Sequence, residues 1–200
     1  MPRIRTFVAV DLSADIRRQA ESLQQSLAAD GVTAKWAAPE TLHLTLAFLG
    51  DVDDKELPTV FRAVAEAGKA VPPFAVRIAG VGAFPNLRRP KIAWAGIDEG
   101  ADELIALHNA VADNLELADV YRREDRGYKP HLTLGRVKAD EESSALATAI
   151  GKYADWVGGR VSVDQIKIYS SEIRRNGPEY TVMGRAELRG KAKKAHTKEE

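Results

Sequence analysis

The tetrapeptide HLTL occurs twice in this chain of 200 residues, at positions 43–46 and 131–134, and each copy begins with one of the four histidines. Both copies alternate polar and apolar residues, which is typical of a half-buried β-strand. Because successive side chains of a strand point to opposite faces, we expect the leucines in the core and the histidine and threonine on the other face. A fold that uses both copies alike must therefore expose two His-Thr faces.

The hydrophobic pattern outside the two HLTL segments predicts an alternation of strands and helices. Ser13 is the predicted N-cap of the first helix, Gly31 lies just past its end, and Gly50 is expected to end the first HLTL strand. The order of elements, with one HLTL strand in each half of the chain, predicts a duplicated α+β unit. The other predicted strands cover residues 4–10, 72–85, 90–97, 160–173 and 179–188, and the other predicted helices cover residues 54–71, 101–117 and 141–157.

The charge balance limits the kind of partner that the chain can bind. Lysine plus arginine equals aspartate plus glutamate, at 29 each, whereas proteins that wrap long duplex nucleic acid usually carry a basic excess. The local basic clusters are interpreted either as solvated loops or as rims of a site for a few phosphates. These clusters are residues 86–91, 121–129, 172–177 and 189–196.

Composition also bears on compartment and domain organisation. The absence of cysteine excludes disulfides, thiolate nucleophiles and cysteine-bound zinc. No apolar run approaches the roughly eighteen residues that span a bilayer, and the first residues lack the apolar block of a signal peptide, so we expect a cytoplasmic protein without a membrane partner. Residues 1–188 are predicted to form a single domain, and residues 189–200, which carry no apolar pattern, a disordered tail.

The polar faces of the two HLTL strands restrict the chemistry. Histidine titrates near neutrality, so one imidazole can accept a proton while another donates one, and a threonine hydroxyl can donate a hydrogen bond to a phosphate oxygen. Together, His43, Thr45, His131 and Thr133 suit in-line displacement at a phosphorus atom, with no metal ion and no other cofactor.

A simpler interpretation is that both HLTL histidines are ordinary polar residues at strand starts. The same-face threonine in each copy argues against that alternative. The other two histidines, His108 within a predicted helix and His196 in the tail, are interpreted as incidental.

The chain resembles the 2H phosphoesterase superfamily, and within it the RNA 2′,3′-cyclic phosphodiesterases, also called 2′-5′ RNA ligases. The resemblance is carried by HLTLAFLGDV at residues 43–52 and GYKPHLTLGR at residues 127–136, and it extends over about residues 4–188. Supporting stretches are RTFVAVDL (5–12), KWAAPETLHLTL (35–46), VGAFPNLRRPKIAWAGI (81–97) and GPEYTV (177–182).

The resemblance implies a fold and an activity. The implied fold is α+β and bilobal, with two pseudo-symmetric antiparallel β-sheets flanked by helices around a central cleft. The implied reaction is hydrolysis of an RNA 2′,3′-cyclic phosphate end to a 2′-phosphomonoester, with His43 as the proton donor and His131 as the proton acceptor. Thr45 and Thr133 match the positions that hold the phosphate.

Arg136 matches an arginine that is common after the second motif and is a candidate phosphate ligand. Strict alternation, however, places it on the leucine face of its strand, so it would reach the cleft only through a β-bulge or around the strand end. Lys129 shares the face of His131 and is a comparable candidate. Tyr128 or Phe84 could stack on a base.

The expected partners are RNA ends or small 2′,3′-cyclic nucleotides, bound by a monomer. Two alternatives use the same cleft. A reversible ligase would join a cyclic end to a 5′-hydroxyl, with an RNA hydroxyl in place of water. A non-catalytic module would only bind a nucleotide or an RNA end, although binding alone does not require two groups that transfer protons.

Overall fold

The computed structural model describes residues 2–123, 127–137, 143–175 and 177–191, and within these ranges the chain forms nine strands and four α-helices. The strands are β1 (Arg3–Val10), β2 (Ala34–Trp36), β3 (Leu44–Asp53), β4 (Phe74–Phe84), β5 (Ile92–Glu99), β6 (Leu132–Val137), β7 (Val157–Val163), β8 (Gln165–Arg174) and β9 (Gly177–Glu187). The helices are α1 (Ala14–Ala29), α2 (Leu57–Ala70), α3 (Ala101–Leu117) and α4 (Ser143–Lys152).

Local signals in the sequence predicted most of these elements. The Ser13 hydroxyl accepts a hydrogen bond from the Ile16 amide and caps α1, as expected of a serine at that position. Helix α3 spans the predicted residues 101–117, and apolar residues at helical spacing fill its buried face. Both HLTL segments form strands, as predicted.

Three boundary predictions were wrong, and one short strand was missed. The predicted strand 160–173 is two strands, β7 and β8, which Asp164 separates. Helix α4 ends at Lys152 rather than at residue 157, and the three-residue strand β2 was not predicted. Gly50 does not end the first HLTL strand; it lies inside β3 with a φ of 73°, where β3 has one more residue than its partner β1.

The strands pair throughout in antiparallel fashion, in the order β7-β4-β5-β6-β3-β1-β8-β9, and β2 pairs with β6. Between β3 and β6 the pairing is confined to one residue pair, Leu44 with Leu132. This narrow junction divides the sheet into a first lobe, β3-β1-β8-β9, and a second lobe, β7-β4-β5-β6 with β2. The predicted α+β fold is confirmed, and its two antiparallel sheets are two lobes of one sheet.

The lobes do not coincide with the halves of the chain. The first lobe combines β1 and β3 with the C-terminal strands β8 and β9. Helix α1 packs on β7 of the second lobe, whereas α3 packs on β3 of the first lobe. The duplicated order of elements is therefore present along the sequence. In space, however, each lobe contains strands and helices from both halves of the chain.

The leucines of both HLTL segments lie in the core, as predicted, and all four are at most 2% exposed. Burying such a side chain contributes about 1.5–3 kcal/mol to stability, which fixes the register of both strands. None of the described helices is both long enough and apolar enough to cross a membrane.

The predicted tail falls only partly within the described residues. The Arg189 amide donates to the Gly68 carbonyl oxygen at 2.9 Å, and the Gly190 amide donates to the Val71 carbonyl oxygen at 3.0 Å. Residues 192–200, including His196, lie outside the described residues.

Candidate active site

The candidate site is centred on the residue pair that joins the two lobes. In an antiparallel pair with Leu44 opposite Leu132, the register sets His43 opposite Thr133 and Thr45 opposite His131. All four polar side chains are half-buried, whereas the leucines between them are buried. The two His-Thr faces therefore meet at the junction, each histidine across from the threonine of the other strand.

Both imidazoles are held by the same backbone contact. His43 Nδ1 donates to the Thr41 carbonyl oxygen at 2.7 Å, and His131 Nδ1 donates to the Lys129 carbonyl oxygen, also at 2.7 Å. A carbonyl oxygen can only accept a hydrogen bond, so each Nδ1 carries a proton. Nε2 is then the nitrogen that each ring can use for proton transfer.

The two HLTL strands share a β-bulge at the second leucine. Between neighbouring pairs, β3 places Leu46 as an extra residue opposite β1, and β6 places Leu134 as an extra residue opposite β5. From the first leucine onward, the six-residue burial patterns of the two strands are identical. The residues that follow the bulged segment, Phe48 and Arg136, are exposed and line the cleft.

The bulge explains the position of Arg136. Strict alternation would place its side chain with the leucines in the core, but the extra residue Leu134 resets the alternation. Arg136 therefore lines the same cleft as Thr133.

The cleft has a volume of about 980 Å³ and contains three of the four polar HLTL side chains. His43, Thr45 and Thr133 line it, whereas His131 is not among the lining residues and flanks the cleft beside Thr45. The cationic side chains that line it are Arg5, Lys35, Arg136 and Arg174, and the acidic ones are Glu40 and Glu179.

Aromatic rings enclose His43 on the first lobe. The Phe7 ring centroid lies 4.8 Å from the imidazole centroid, and Tyr180 meets the imidazole edge-on at 5.5 Å. Tyr169 stacks on the far side of this group, 5.0 Å from Phe7.

A different group of side chains encloses His131 on the second lobe. The Phe84 ring meets the imidazole edge-on at 4.9 Å, and Trp94 lies at 6.5 Å. Lys129 Nζ lies over both rings, 5.6 Å from the Phe84 centroid and 5.0 Å from the Trp94 centroid. Phe84 and Lys129 thus pack around the histidine.

Comparison with known proteins assigns the family. Residues 7–174 match the model of the 2′-5′ RNA ligase superfamily. The chain belongs to that superfamily. It is 33% identical to the RNA 2′,3′-cyclic phosphodiesterase of Methanothermobacter thermautotrophicus over 181 residues. These residues are 90% of this chain and 97% of the relative.

Two further proteins are similar to this chain over most of their length. The RNA 2′,3′-cyclic phosphodiesterase of Archaeoglobus fulgidus is 35% identical over 178 residues, which are 88% of this chain and 96% of the relative. The crystal structure of TT0787 of Thermus thermophilus superposes with a TM-score of 0.78 at 29% identity and covers 94% of this chain and 100% of that protein. The resemblance found in the sequence is confirmed.

Within this superfamily fold, burial governs the protonation of both histidines. Burial lowers the pKa of His43 below its usual value of 6.5, although the hydrogen bond to the Thr41 carbonyl opposes the change. The charges of Arg17 and His131 lower that pKa further, while the Asp11 carboxylate raises it.

His131 shows a related shift with different neighbours. Burial lowers the pKa of His131, the hydrogen bond to the Lys129 carbonyl raises it, and the positive charge of Lys129 lowers it. Among the described residues, no carboxylate contributes to this shift. The two imidazoles therefore share a hydrogen-bond geometry but sit in different electrostatic surroundings.

An ionic cluster supports the segment before His43. Asp11 pairs with Arg17 and Lys167, and Arg17 Nη1 also donates to the Pro39 carbonyl oxygen at 2.8 Å. Burial raises the pKa of the Asp11 carboxyl, but the Lys167 hydrogen bond and the charges of both cations bring it below its usual value. The cluster ties α1 to the turn that leads into the first HLTL strand.

His108, which was interpreted from the sequence as incidental, is buried beside the first HLTL strand. It is 7% exposed, its ring stacks on Tyr128 with centroids 4.0 Å apart, and its Nδ1 donates to the Leu46 carbonyl oxygen at 2.7 Å. The Tyr128 hydroxyl donates to the Thr45 carbonyl oxygen at 2.9 Å. One face of the Tyr128 ring is therefore already covered by His108.

Sequence reasoning missed several side chains of the site. Phe7 and Asp11 lie in and just after a strand that was predicted without a functional role. Gln24 and His108 lie on the apolar faces of α1 and α3, where a buried polar side chain is unusual. A polar residue within the apolar stripe of a predicted helix was the sequence signal that could have identified Gln24 and His108.

Proposed function

We propose that the protein hydrolyses RNA 2′,3′-cyclic phosphate ends to 2′-phosphomonoesters, with His43 as the proton donor and His131 as the proton acceptor. The observation that carries this proposal is the junction at Leu44 and Leu132, around which the register sets two His-Thr faces with both Nδ1 atoms fixed as donors. The names of the relatives, RNA 2′,3′-cyclic phosphodiesterases, supply the substrate class.

In the proposed reaction, a water molecule attacks the phosphorus of the cyclic phosphate. His131 Nε2 takes one proton from the water as the new P–O bond forms. The bond from phosphorus to the 3′-oxygen breaks, and His43 Nε2 donates its proton to that oxygen. The products are a free 3′-hydroxyl and a 2′-phosphomonoester.

The electrostatic surroundings favour the acceptor role of His131. The proton acceptor must be neutral before the reaction, and the cationic Lys129 beside His131 favours the neutral ring. The proton donor must be charged, whereas burial and the charge of Arg17 lower the pKa of His43 and the Asp11 carboxylate opposes them only in part, so the donor role of His43 rests on the resemblance to the superfamily.

The threonines and Arg136 are proposed to hold the non-bridging phosphate oxygens. Thr45 and Thr133 line the cleft on either side of the lobe junction, where their hydroxyls can donate to an anion. Arg136 lines the same cleft and can add a charge-assisted hydrogen bond. These contacts would offset the charge that develops in the transition state.

The charge of the cleft supports an RNA end, rather than a lone nucleotide, as the substrate. Arg5, Lys35 and Arg136 line the cleft and form no ion pair with any described residue. Cations that have no described ion-pair partner, in a chain of zero net charge, suit an anion with more than one phosphate.

Product analysis tests the proposal. An oligonucleotide with a 2′,3′-cyclic phosphate end is incubated with the protein, and chromatography against synthetic standards separates the 2′- and 3′-monoesters. We expect the 2′-monoester alone; the 3′-monoester or an unchanged substrate would contradict the proposal. Adding an RNA with a 5′-hydroxyl to the same assay detects ligation.

A chelator tests the proposed independence from metal ions. The described residues contain no group of three or more His, Asp or Glu side chains placed to hold a metal ion. We expect turnover with EDTA to equal turnover without it. Loss of activity that added metal restores would overturn this part of the proposal.

A further inference from the structure

Two buried polar side chains contact the same position in the two HLTL strands. Gln24 of α1 and His108 of α3 are 5% and 7% exposed, and both lie among leucines. Gln24 Nε2 donates to the Leu134 carbonyl oxygen at 2.8 Å, and His108 Nδ1 donates to the Leu46 carbonyl oxygen at 2.7 Å. Both acceptors belong to the second leucine of HLTL, the residue at the bulge.

The contacts follow from the bulges. An extra residue in one strand interrupts the ladder, so its backbone groups lose their regular partners. A buried carbonyl oxygen without a donor is costly. His108 donates to the Leu46 carbonyl oxygen, and the Leu134 carbonyl oxygen accepts from both Gln24 and the Ala37 amide. Apolar residues at these positions would be enough to pack α1 and α3 against the sheet. The polar side chains therefore have a second role, which is to donate hydrogen bonds to the carbonyl oxygens of the bulged leucines.

Gln24 also connects the two HLTL segments to each other. The same Nε2 donates to the Ala37 carbonyl oxygen at 2.9 Å, and the Ala37 amide donates to the Leu134 carbonyl oxygen at 2.9 Å. Ala37 precedes the first HLTL strand, whereas Leu134 lies in the second. Gln24 therefore adds a bridge to the β2–β6 pairing, between the segment that leads to His43 and the strand that carries Thr133.

On the first lobe, the support is a pair of side chains. His108 stacks on Tyr128, and their polar atoms donate to consecutive carbonyl oxygens, those of Leu46 and Thr45. The contact with Thr45 is to the backbone of a residue whose side chain lines the cleft.

We propose that Gln24 and His108, with Tyr128, are positioning residues that hold the two HLTL bulges so that the histidines and threonines of both lobes meet around one phosphate. The inference rests on the proposed function. It assigns a role in turnover to side chains that are remote from the substrate and act through the backbone.

The test compares donor-removing variants with matched core variants on the same helices. Gln24→Met and His108→Phe remove the donors while keeping apolar volume. Leu27→Met and Leu107→Met change buried residues of α1 and α3 whose side chains donate no hydrogen bond. The rate constant kcat, KM and the melting temperature are measured with a cyclic-ended oligonucleotide.

We expect kcat to fall about 10- to 100-fold in Gln24→Met and His108→Phe, with KM within about threefold, because small misplacements of reacting groups have effects of this size. In the two leucine variants, we expect kcat within about twofold of the wild type. His108→Asn, whose amide can donate from nearly the same place as Nδ1, should recover most of the lost kcat.

The inference would be overturned if the donor-removing variants had a lower melting temperature but the same kcat as the leucine controls. If Gln24→Met or His108→Phe does not fold, Tyr128→Phe decides, since it removes one hydroxyl; we expect kcat about fivefold lower, and an unchanged kcat counts against the inference. A wild-type protein that does not turn over the substrate refutes the proposed function instead.

Discussion

The two half-sites carry the same tetrapeptide, the same Nδ1 contact and the same bulge, yet their surroundings differ. His43 lies against Phe7 and Tyr180, near the Asp11 ionic cluster. His131 lies against Phe84 and Trp94, near the cation of Lys129. The repeated residues therefore determine how each imidazole is held, and the unrepeated ones determine how readily it gives up a proton.

The edges of the cleft differ in the same way. Phe48 and Arg136 occupy corresponding positions after the two bulges, and both line the cleft. Phe48 is 61% exposed, and on the same lobe Ile173 is 80% exposed. Large exposed apolar side chains in a cleft are typical of a binding surface, so we expect bases to bind on the first lobe and phosphates near Arg136.

Replacing either histidine should have the largest effect. In His43→Gln and in His131→Gln, we expect kcat to fall by about 10²- to 10⁴-fold, the usual contribution of general acid–base catalysis. Turnover of a cyclic-ended oligonucleotide measures this, and Arg18→Gln, on the exposed surface of α1, is the control variant. If one of the two histidine variants keeps its activity, the half-sites are not equal partners and the two-histidine mechanism fails.

Replacing the threonines compares how the two lobes hold the phosphate. In Thr45→Val and Thr133→Val, which preserve shape and remove the hydroxyl, we expect kcat/KM to fall about 10- to 100-fold, as for a hydrogen bond to a charged group. Because the register sets each threonine opposite the histidine of the other strand, the two losses should be similar. A loss confined to one variant would place the phosphate on a single lobe.

Replacing the residues after the bulges should have a smaller effect. In Arg136→Gln, we expect KM for an oligonucleotide to rise about tenfold, and the slope of log kcat/KM against log salt to fall by about 0.7, as for one phosphate contact on a single strand. Phe48→Leu should leave the salt slope unchanged, and so should Arg18→Gln, whose cation pairs with Asp15 on the surface. If Phe48→Leu and Arg136→Gln changed the salt slope equally, bases and phosphates would not bind on different sides of the cleft.

Changing the charged neighbours should have the smallest effect, with opposite signs at the two histidines. Lys129→Gln removes a cation and should raise the pKa of His131, whereas Asp11→Asn removes an anion and should lower the pKa of His43. NMR titration of the imidazoles measures both shifts. Shifts of the same sign would contradict the difference described between the half-sites.

The same lowered pKa values predict the pH profile of the wild type. The acceptor must be neutral and the donor protonated, so kcat/KM should be bell-shaped. Since burial lowers both pKa values below 6.5, the maximum should lie on the acidic side of that value. A profile that is flat from pH 5 to pH 9 would contradict the mechanism.

The local sequence pattern was sufficient to predict many of the helices and strands. The N-cap at Ser13, the apolar stripe of α3 and the alternation around both HLTL segments depend on neighbours within a few residues, and the structure confirms the elements that they predict. The break at Asp164 was missed although the alternation shifts there by one residue, from Val161 and Val163 to Ile166 and Ile168.

The site was only partly predictable for a related reason. That His43 and Thr45 share a face follows from the period of a strand, and the same holds for His131 and Thr133. The bulge at Leu134, which brings Arg136 to the cleft, depends on how β6 pairs with β5, strands some 40 residues apart.

The sequence by itself determined which residues alternate, which leucines are buried and which side chains can transfer protons, because periodicity and side-chain chemistry are local properties. Only the tertiary structure decided that the lobes join at Leu44 and Leu132, and that a helix side chain donates to the carbonyl of each bulged leucine, Gln24 in one strand and His108 in the other. These contacts link residues 62 to 110 positions apart, and they form only when the whole core packs, since the leucines around them must be buried together.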